Sequence, residues 1–189
     1  AFSPDVMISP RVAPQMIGLG LLEAIPAADI LAQEDPDDAN GDGISGRASI
    51  VMSAEFGVPM LGRFGLKGGA PTIKEQSAGA FSGDMGLSTW LHPSPAGDCT
   101  AVEADCISAP VGQEPDVRDG LEVDKQSLDL VTFYARNLGV PERRNLDDAE
   151  VMRGKEVFYS LGCTSCHTPK YVTNRLDDQP EQSFQLIWP

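Results

Sequence analysis

The strongest hydrophobic periodicity in the chain lies between Asp124 and Leu138. Apolar residues recur there every three or four positions, at Leu128, Val131, Ala135 and Leu138. This spacing places side chains on one face of an α-helix. Asp124 can cap the first turn, and Gly139 followed by Pro141 can end the helix. The pattern therefore predicts an amphipathic helix over residues 124–138.

A second helix is predicted from Asp147 to Gly162. Asp147 and Glu150 have the spacing of a capping box, in which side chains satisfy the free N–H groups at a helix start. One face carries small or apolar residues, at Val151, Gly154, Phe158 and Leu161. Gly162 can end this helix directly before Cys163. An amphipathic helix therefore leads straight into a cysteine.

The rest of the chain shows shorter and weaker patterns. Helical spacing covers residues 11–31, where Pro26 can open a second short helix, and it returns from Pro71 to Phe81. Residues 50–52 form a candidate strand. Residues 88–123 are rich in Pro, Gly and Asp and predict a long covering loop. The expected fold class is mainly α with long loops.

Composition and charge limit the partners of the chain. With 189 residues, 41% of them hydrophobic, it can build a core. The 28 acidic and 14 basic residues give a net charge of −14, which repels nucleic acid and anionic membranes. We therefore expect no nucleic-acid partner. A small basic electron donor, such as a cytochrome or a copper protein, would be attracted to this charge, although the charge also serves solubility alone.

The sequence predicts neither a membrane span nor a signal peptide. No apolar run approaches the roughly 20 residues that a membrane helix needs. Residues 1–10 also lack the charged start and apolar stretch of a signal peptide. Since the chain begins with Ala1 instead of Met, we expect a mature product or a piece of a longer protein.

The motif Cys163-Thr164-Ser165-Cys166-His167 has the form of a c-type haem attachment site. Its two thiols can each add to one vinyl group of a porphyrin, and His167 can then coordinate the iron. A thioredoxin-like dithiol is the first alternative, but the motif follows an amphipathic helix instead of lying in a βαβ pattern. A zinc site is the second, with only His92, Cys99 and Cys106 left to complete it. We expect covalent haem c.

Cys99 and Cys106 are candidates for a short local disulfide. Six residues lie between them, inside the loop predicted over residues 88–123. Haem attachment by this type of motif takes place outside the bacterial cytoplasm, where structural disulfides also form. Free thiols are the alternative. We expect a periplasmic or otherwise extracytoplasmic protein.

An acidic loop in the first quarter of the chain resembles the start of a calcium-binding loop. Asp38, Asn40 and Asp42 alternate and are followed by Gly43, so that three side chains could point at one cation. The bidentate Glu that closes an EF-hand loop is replaced by Ser49. The alternatives are a bound Ca²⁺ ion and a turn stabilised by its own side chains.

The segment that should follow the haem motif is short. A cytochrome c domain needs further helices and usually a Met or His on the distal side of the haem. Only 22 residues follow His167, and they contain neither residue type. The sixth ligand would have to be His92, Met152 or another upstream Met, or lie in an absent segment, which we favour. Residues 124–189 then form the incomplete start of a cytochrome c-like domain.

Several stretches together resemble a known family, the bacterial di-haem oxidoreductases of peroxidase-like or thiol oxidoreductase-like type, which are similar in turn to di-haem cytochrome c peroxidases. The resemblance spans nearly the whole chain. The stretches that carry it are Arg11-Val12-Ala13-Pro14, Gly18-Leu19-Gly20-Leu21-Leu22-Glu23-Ala24-Ile25, the acidic loop through Ser45-Gly46-Arg47, Leu61-Gly62-Arg63-Phe64-Gly65, Gln76-Ser77-Ala78-Gly79-Ala80-Phe81 with Gly83-Asp84-Met85-Gly86, and Cys163 to Pro169.

The resemblance implies cytochrome c-like domains with two haems, of which this chain would carry the attachment site of one. The chain would then be a central fragment, with residues 1–123 part of a peroxidase-like haem domain. Gln76 and Asp84 resemble the amide and the acid that lie near the peroxide-reducing haem. Their spacing is shorter than in the peroxidases, and Leu66 stands where an aromatic residue is expected.

The resemblance implies a specific function. Electrons from a small donor protein would pass through the haem of the Cys163 motif to a second haem, where hydrogen peroxide is reduced with Gln76 and Asp84 as catalytic residues. A pure electron-transfer cytochrome is the alternative, in which Glu75, Gln76 and Asp84 form a solvated helix face. A haem-free protein whose motif cysteines are reduced, bridged or metal-bound is the third.

Overall fold

Helices account for most of the regular structure, with a few short strands. The computed structural model describes residues 5–10 and 12–188. Its helices are α1 (Leu19–Glu23), α2 (Ala27–Leu31), α3 (Ile73–Gly83), α4 (Ala104–Ile107), α5 (Lys125–Arg136) and α6 (Ala149–Ser160). Its strands are β1 (Ile50–Met52), β2 (Pro59–Leu61), β3 (Tyr171–Val172) and β4 (Leu186–Ile187). Single 3₁₀ turns occur at Arg118–Gly120, Cys163–Ser165 and Pro180–Gln182. The predicted mainly α class agrees with this content.

In the part of the chain that the structure describes, the strands form two separate antiparallel pairs. Strand β1 pairs with β2, so that Val51 lies opposite Met60, and β3 pairs with β4, so that Tyr171 lies opposite Ile187. The predicted strand over residues 50–52 is confirmed. Strand β2 was not predicted, because Gly57 and Pro59 indicate a turn. Gly57, at φ +67°, does lie in the connection between the two strands.

The core lies where α3 and α5 pack together, with α1 against both helices. One buried cluster contains Ala78, Leu91, Val123 and Leu128, and a second contains Phe64, Ile73 and Ala135. The buried face of α5 consists of Leu128, Thr132 and Ala135. The helix predicted over 124–138 is therefore confirmed with slightly shorter bounds, and Asp124 caps it by accepting a hydrogen bond from the Ser127 N–H.

The helix predicted over residues 11–31 is wrong for its first half. Arg11 lies outside the described residues, and residues 12–16 are extended or irregular. Helix α1 begins only after Gly18, whose positive φ of +76° marks the chain reversal. A β-carbon on Gly20 would collide with the Arg136 carbonyl oxygen, so this glycine allows α1 to meet the end of α5. Pro26 precedes α2 as predicted.

Two charged side chains hold α1 in place, Arg63 from the loop after β2 and Glu23 of α1 itself, which also binds α3 and α5. Arg63 Nη1 donates to the carbonyl oxygens of Leu22 and Ile25, at the end of α1, at 3.1 and 2.7 Å. Glu23 accepts hydrogen bonds from Arg136 Nε on α5 and from the Ile73 N–H at the start of α3. Burial lowers the pKa of Arg63, although the nearby carboxylate of Glu23 opposes this effect.

The predicted helix starts need small corrections. Helix α3 begins at Ile73, after Thr72, whose hydroxyl accepts a hydrogen bond from the Glu75 N–H. The cap of α6 is Asp148, which accepts from the Glu150 N–H, so the prediction of Asp147 was wrong by one residue. Adjacent aspartates offer the same chemistry, and the sequence alone does not distinguish them.

The C-terminal residues return to the core. The Asn174 N–H donates to the Ala24 carbonyl at 2.7 Å, and Gln182 Nε2 donates to the Arg136 carbonyl at 3.0 Å. Thr173, Gln182 and Ile187 are buried, whereas α6 contains no buried residue. Across the described ranges, none of the helices combines the length and the apolar character needed to cross a bilayer.

Candidate functional site

Helix α6 presents the predicted haem motif on a tight turn. The helix ends at Ser160, and Gly162, at φ +77°, reverses the chain. The 3₁₀ turn Cys163–Ser165 follows, and the backbone N–H groups of Cys166 and His167 both donate to the Cys163 carbonyl, at 3.2 and 2.9 Å. This hydrogen bonding holds both cysteines and the histidine on one short loop.

The donor set of this loop fits covalent haem. Both thiols are free, Cys163 half-buried and Cys166 exposed. The imidazole of His167 is exposed and lies 6.1 Å from the Phe158 ring, measured between ring centroids. Phe158 and Leu161 are 37% and 73% exposed, so apolar side chains beside the motif are available to contact a porphyrin. Two accessible thiols, an accessible imidazole and apolar neighbours are what attachment requires.

The residues needed for a zinc site are not assembled with this motif. His92 lies half-buried in a turn, where its backbone N–H donates to the Thr89 carbonyl. Within residues 5–10 and 12–188, no three His, Cys, Asp or Glu side chains stand close enough together to hold a metal ion. A sixth haem ligand from an absent segment stays the prediction, with His92, Met152 or another upstream Met as the alternatives.

Cys99 and Cys106 come together as predicted. Their Cα atoms are 6.1 Å apart, within the usual range for a disulfide, and their sulfur atoms lie at bonding distance. Cys106 belongs to α4, which the sequence did not indicate inside the long loop. The geometry permits the bridge, whose formation in the protein stays a prediction.

The acidic loop uses its side chains on its own backbone. Three hydrogen bonds of 2.9–3.1 Å join side-chain oxygens to backbone N–H groups of the same loop. The Asp38 carboxylate accepts one from Gly43. Asn40 Oδ1 accepts one from Asp42, and Asp42 Oδ1 accepts one from Ile44. These are the Asx-type turns that the sequence offered as the alternative to a cation. Calcium binding by Asp38, Asn40 and Asp42 stays a prediction.

The two candidate catalytic residues lie at opposite ends of α3. Gln76 is half-buried in its first turns, and Asp84 is exposed directly after its last residue. Eight residues of α-helix span about 12 Å. The structure therefore does not bring Gln76 and Asp84 to one point.

The surroundings of Gln76 are closely packed. Gly65 lies beside it at φ +72°, and a β-carbon on Gly65 would lie 2.6 Å from Gln76 Oε1. A glycine at this position thus leaves room for the Gln76 amide. The motif Leu61-Gly62-Arg63-Phe64-Gly65 pointed to this loop, but nothing in it showed which side chain the loop would meet.

Glu75 was missed by reasoning from the sequence. It is 7% exposed, and it accepts hydrogen bonds from Ser53 Oγ at 2.6 Å and from the Ala54 N–H at 2.8 Å. The proposed solvated face of α3 is therefore wrong for Glu75, which attaches the β1–β2 connection to the helix. Glu75 and Gln76 are adjacent polar residues on a short helix, and the sequence does not show which of them is buried.

Comparison with known protein families gives a match over most of the chain. The model of a family described as "Di-haem oxidoreductase, putative peroxidase" matches residues 1–185. No curated protein and no solved structure was found to match the chain.

Proposed function

Because the chain belongs to the di-haem oxidoreductase family, we propose that it binds haem c covalently and acts in a peroxidase-type oxidoreductase outside the bacterial cytoplasm. The observation that supports this proposal most strongly is the turn at the end of α6, where two free thiols and an exposed imidazole follow one another. The predicted Cys99–Cys106 bridge is consistent with an oxidising compartment.

The proposed roles of the motif residues follow from their chemistry. Cys163 and Cys166 would form thioethers to the porphyrin, and His167 would coordinate its iron. Haem held there would supply a one-electron redox centre between a small donor protein and a second haem at which hydrogen peroxide is reduced. Phe158, whose ring meets the His167 imidazole, would limit rotation of that ligand.

The proposed roles of Gln76 and Asp84 are separate. Reduction of one hydrogen peroxide to two waters consumes two electrons and two protons. Asp84 is exposed, so that it can take protons from solvent and deliver them to the leaving oxygen. The Gln76 amide, fixed against Gly65, would hold the substrate or an intervening water by hydrogen bonds. Because about 12 Å of helix separates the two residues, we propose that proton delivery runs through water.

We further propose that the chain contributes to two cytochrome c-like domains, a peroxidase-like one and the start of another. The sequence predicts residues 1–123 and 124–189 for them, but Leu128 and Ala135 of α5 are buried in one core with α3, and we therefore propose that the boundary lies after α5.

The proposal is tested on the full-length protein from its native host. A pyridine haemochrome assay gives haem per chain, and turnover of hydrogen peroxide is then compared between the natural protein, Asp84→Asn and the control Asp177→Asn, which changes another exposed carboxylate. Loss of a proton donor is expected to slow turnover about 100-fold or more. Equal turnover in all three proteins would remove Asp84 from the mechanism.

An electron-transfer cytochrome without peroxidase activity is the second candidate. The observation in its favour is the separation of Gln76 from Asp84 along α3. In that case the protein carries haem and exchanges electrons with a donor, but hydrogen peroxide is not turned over.

A further inference from the structure

Helix α5 is apolar on both of its faces. While Leu128, Thr132 and Ala135 face the core, the opposite side carries three large side chains that reach solvent. These are Leu130, Phe133 and Tyr134, with exposed fractions of 61%, 64% and 66%. We call these three residues the α5 outer face. Scattered exposed apolar residues are normal, but residues three and four apart on a helix are neighbours, so these three form one patch.

The size of the α5 outer face indicates a transient partner. Side chains of these types with these exposures present on the order of 400 Å² of surface, which is near the largest patch found on ordinary monomers. If two copies met through it, they would bury about 800 Å² in total, less than the 1,200 Å² or more typical of stable complexes. Short-lived electron-transfer complexes have interfaces of this smaller size.

The charges beside the patch select the partner. A groove at the start of α5 is lined by Leu130 and Phe133 together with the carboxylates of Asp116, Asp119, Asp124 and Asp129. Two of these charged groups have partners, Asp129 with Lys74 at 3.0 Å and Arg118 with Glu114 at 4.0 Å, so the carboxylates of Asp116, Asp119 and Asp124 outnumber the remaining cation, Lys125. With a net charge of −14, two copies of this chain repel each other, whereas a basic protein is attracted.

We propose that the α5 outer face and its acidic groove form the docking surface for a small basic redox protein, the electron donor. This inference rests on the proposed function, because it names the surface that the donor would use. Phe133 and Leu130 supply the apolar centre of the contact, and the carboxylates of the groove steer the approach.

The test uses the full-length, haem-loaded protein and a basic mitochondrial-type cytochrome c as the probe, with Kd measured by calorimetry at low salt. Phe133→Ser and Leu130→Ser are each expected to weaken binding about tenfold. The control Phe184→Ser changes a phenylalanine that is 68% exposed but lies in the connection between β3 and β4, and it should leave Kd unchanged. Asp116→Asn should slow association and reduce its dependence on salt.

Two further measurements separate the outcomes. Peroxide turnover driven by a small-molecule reductant bypasses the donor, so it should be the same in the natural protein and in Phe133→Ser. If neither protein shows this turnover, the proposed function is refuted and the docking surface is not. The docking surface is refuted if the probe does not bind, if Phe184→Ser weakens binding as much as Phe133→Ser, or if sedimentation shows a dimer that Phe133→Ser dissociates.

Discussion

The helical core and the segment that carries the haem motif differ in how much of their apolar surface is buried. In the core, Leu128 and Ile73 have no exposed surface, and Glu23 of α1 binds the start of α3 and the end of α5. Helix α6, which has the same length as α5, buries no residue and leaves Phe158 and Leu161 partly or largely exposed. The core is stabilised by packing and hydrogen bonds of its own side chains. Helix α6, with no buried residue, presents two free thiols and an imidazole at its end.

This difference separates stability from chemistry. Residues of the core should determine whether the protein folds, whereas residues 149–167 should determine whether it carries haem. Substitutions of one residue type in both parts can therefore test the comparison, since the same change should have unequal effects.

Leucine substitutions should show the largest contrast. Leu128→Ala creates a cavity at a fully buried position and should cost about 3 kcal/mol of unfolding free energy. Leu161→Ala removes a side chain that is 73% exposed and should cost less than about 0.5 kcal/mol. Urea unfolding of the full-length protein measures both values, and equal costs would contradict the comparison.

Carboxylate substitutions should show a smaller contrast. Glu23→Ala removes the acceptor of both Arg136 Nε and the Ile73 N–H and should cost about 2 kcal/mol. Asp177→Ala breaks the exposed pair with Arg175, whose side chains are 73% and 83% exposed, and should change stability by less than about 0.5 kcal/mol. Thermal unfolding would distinguish them, and a large effect of Asp177→Ala would refute this ranking.

Glu122 should make the core sensitive to acid. Its carboxylate accepts hydrogen bonds from the backbone N–H and the hydroxyl of Ser88, which is fully buried, and from the Gly112 N–H. The Ser88 backbone hydrogen bond, opposed by partial burial and helped by the Gly112 bond, lowers the pKa of Glu122 below its ordinary value of 4.5.

A lowered folded-state pKa stabilises the protein above the unfolded-state pKa, and this contribution is lost as the pH falls through the folded-state value. Glu122→Gln should therefore cost about 1 kcal/mol at pH 7, and the cost should shrink below pH 4.5. Urea unfolding at several pH values measures the difference in unfolding free energy between the natural protein and Glu122→Gln. A cost independent of pH would show that the charge of Glu122 does not matter.

The smallest expected effect is on peroxide turnover, through the position of the half-buried Gln76 amide beside Gly65. Gly65→Ala and Gly57→Ala both force a residue with a β-carbon into the left-handed region, at φ +72° and +67°, and each should cost about 1 kcal/mol. Only the β-carbon at Gly65 meets Gln76, because the space around Gly57 is open. Peroxide turnover should fall about threefold in Gly65→Ala alone, since the Gln76 amide is displaced.

The double variant Gly65→Ala/Gln76→Ala should turn over peroxide like Gln76→Ala, because the two residues act together. A shift of the Gln76 side-chain amide signal in the NMR spectrum provides a readout that is independent of activity. If Gly57→Ala has the same effects, backbone strain and not contact with Gln76 is responsible.

Local patterns in the sequence predicted the helices that pack on the core or carry caps. The period of α5 and the acidic cap of α6 were sufficient to find both helices. The first half of residues 11–31 was wrong, because its apolar residues Val12 and Met16, 96% and 43% exposed, are not packed in the core and nothing stabilises a helix there. Burial of Glu75 depends on Ser53 and Ala54, which are distant in the sequence, and no local pattern records such a contact.

The candidate site was predictable only where its residues are adjacent in the sequence. Cys163, Cys166 and His167 share one turn, so their spacing is sufficient to indicate their chemistry. Gln76 and Asp84 came from a family resemblance, and only the structure shows their separation along α3. The acidic groove beside α5 joins residues from two segments, and it was not foreseen.

The central claim is that Cys163 and Cys166 hold haem through thioether bonds. The most direct measurement is the intact mass of the full-length protein from its native host after acid extraction of noncovalent haem, compared with that of Cys163→Ser/Cys166→Ser. We predict that the natural protein retains the mass of the haem bound to this motif and that the double variant lacks it. Identical masses, apart from the two substitutions, would contradict the account and leave a haem-free dithiol protein in its place.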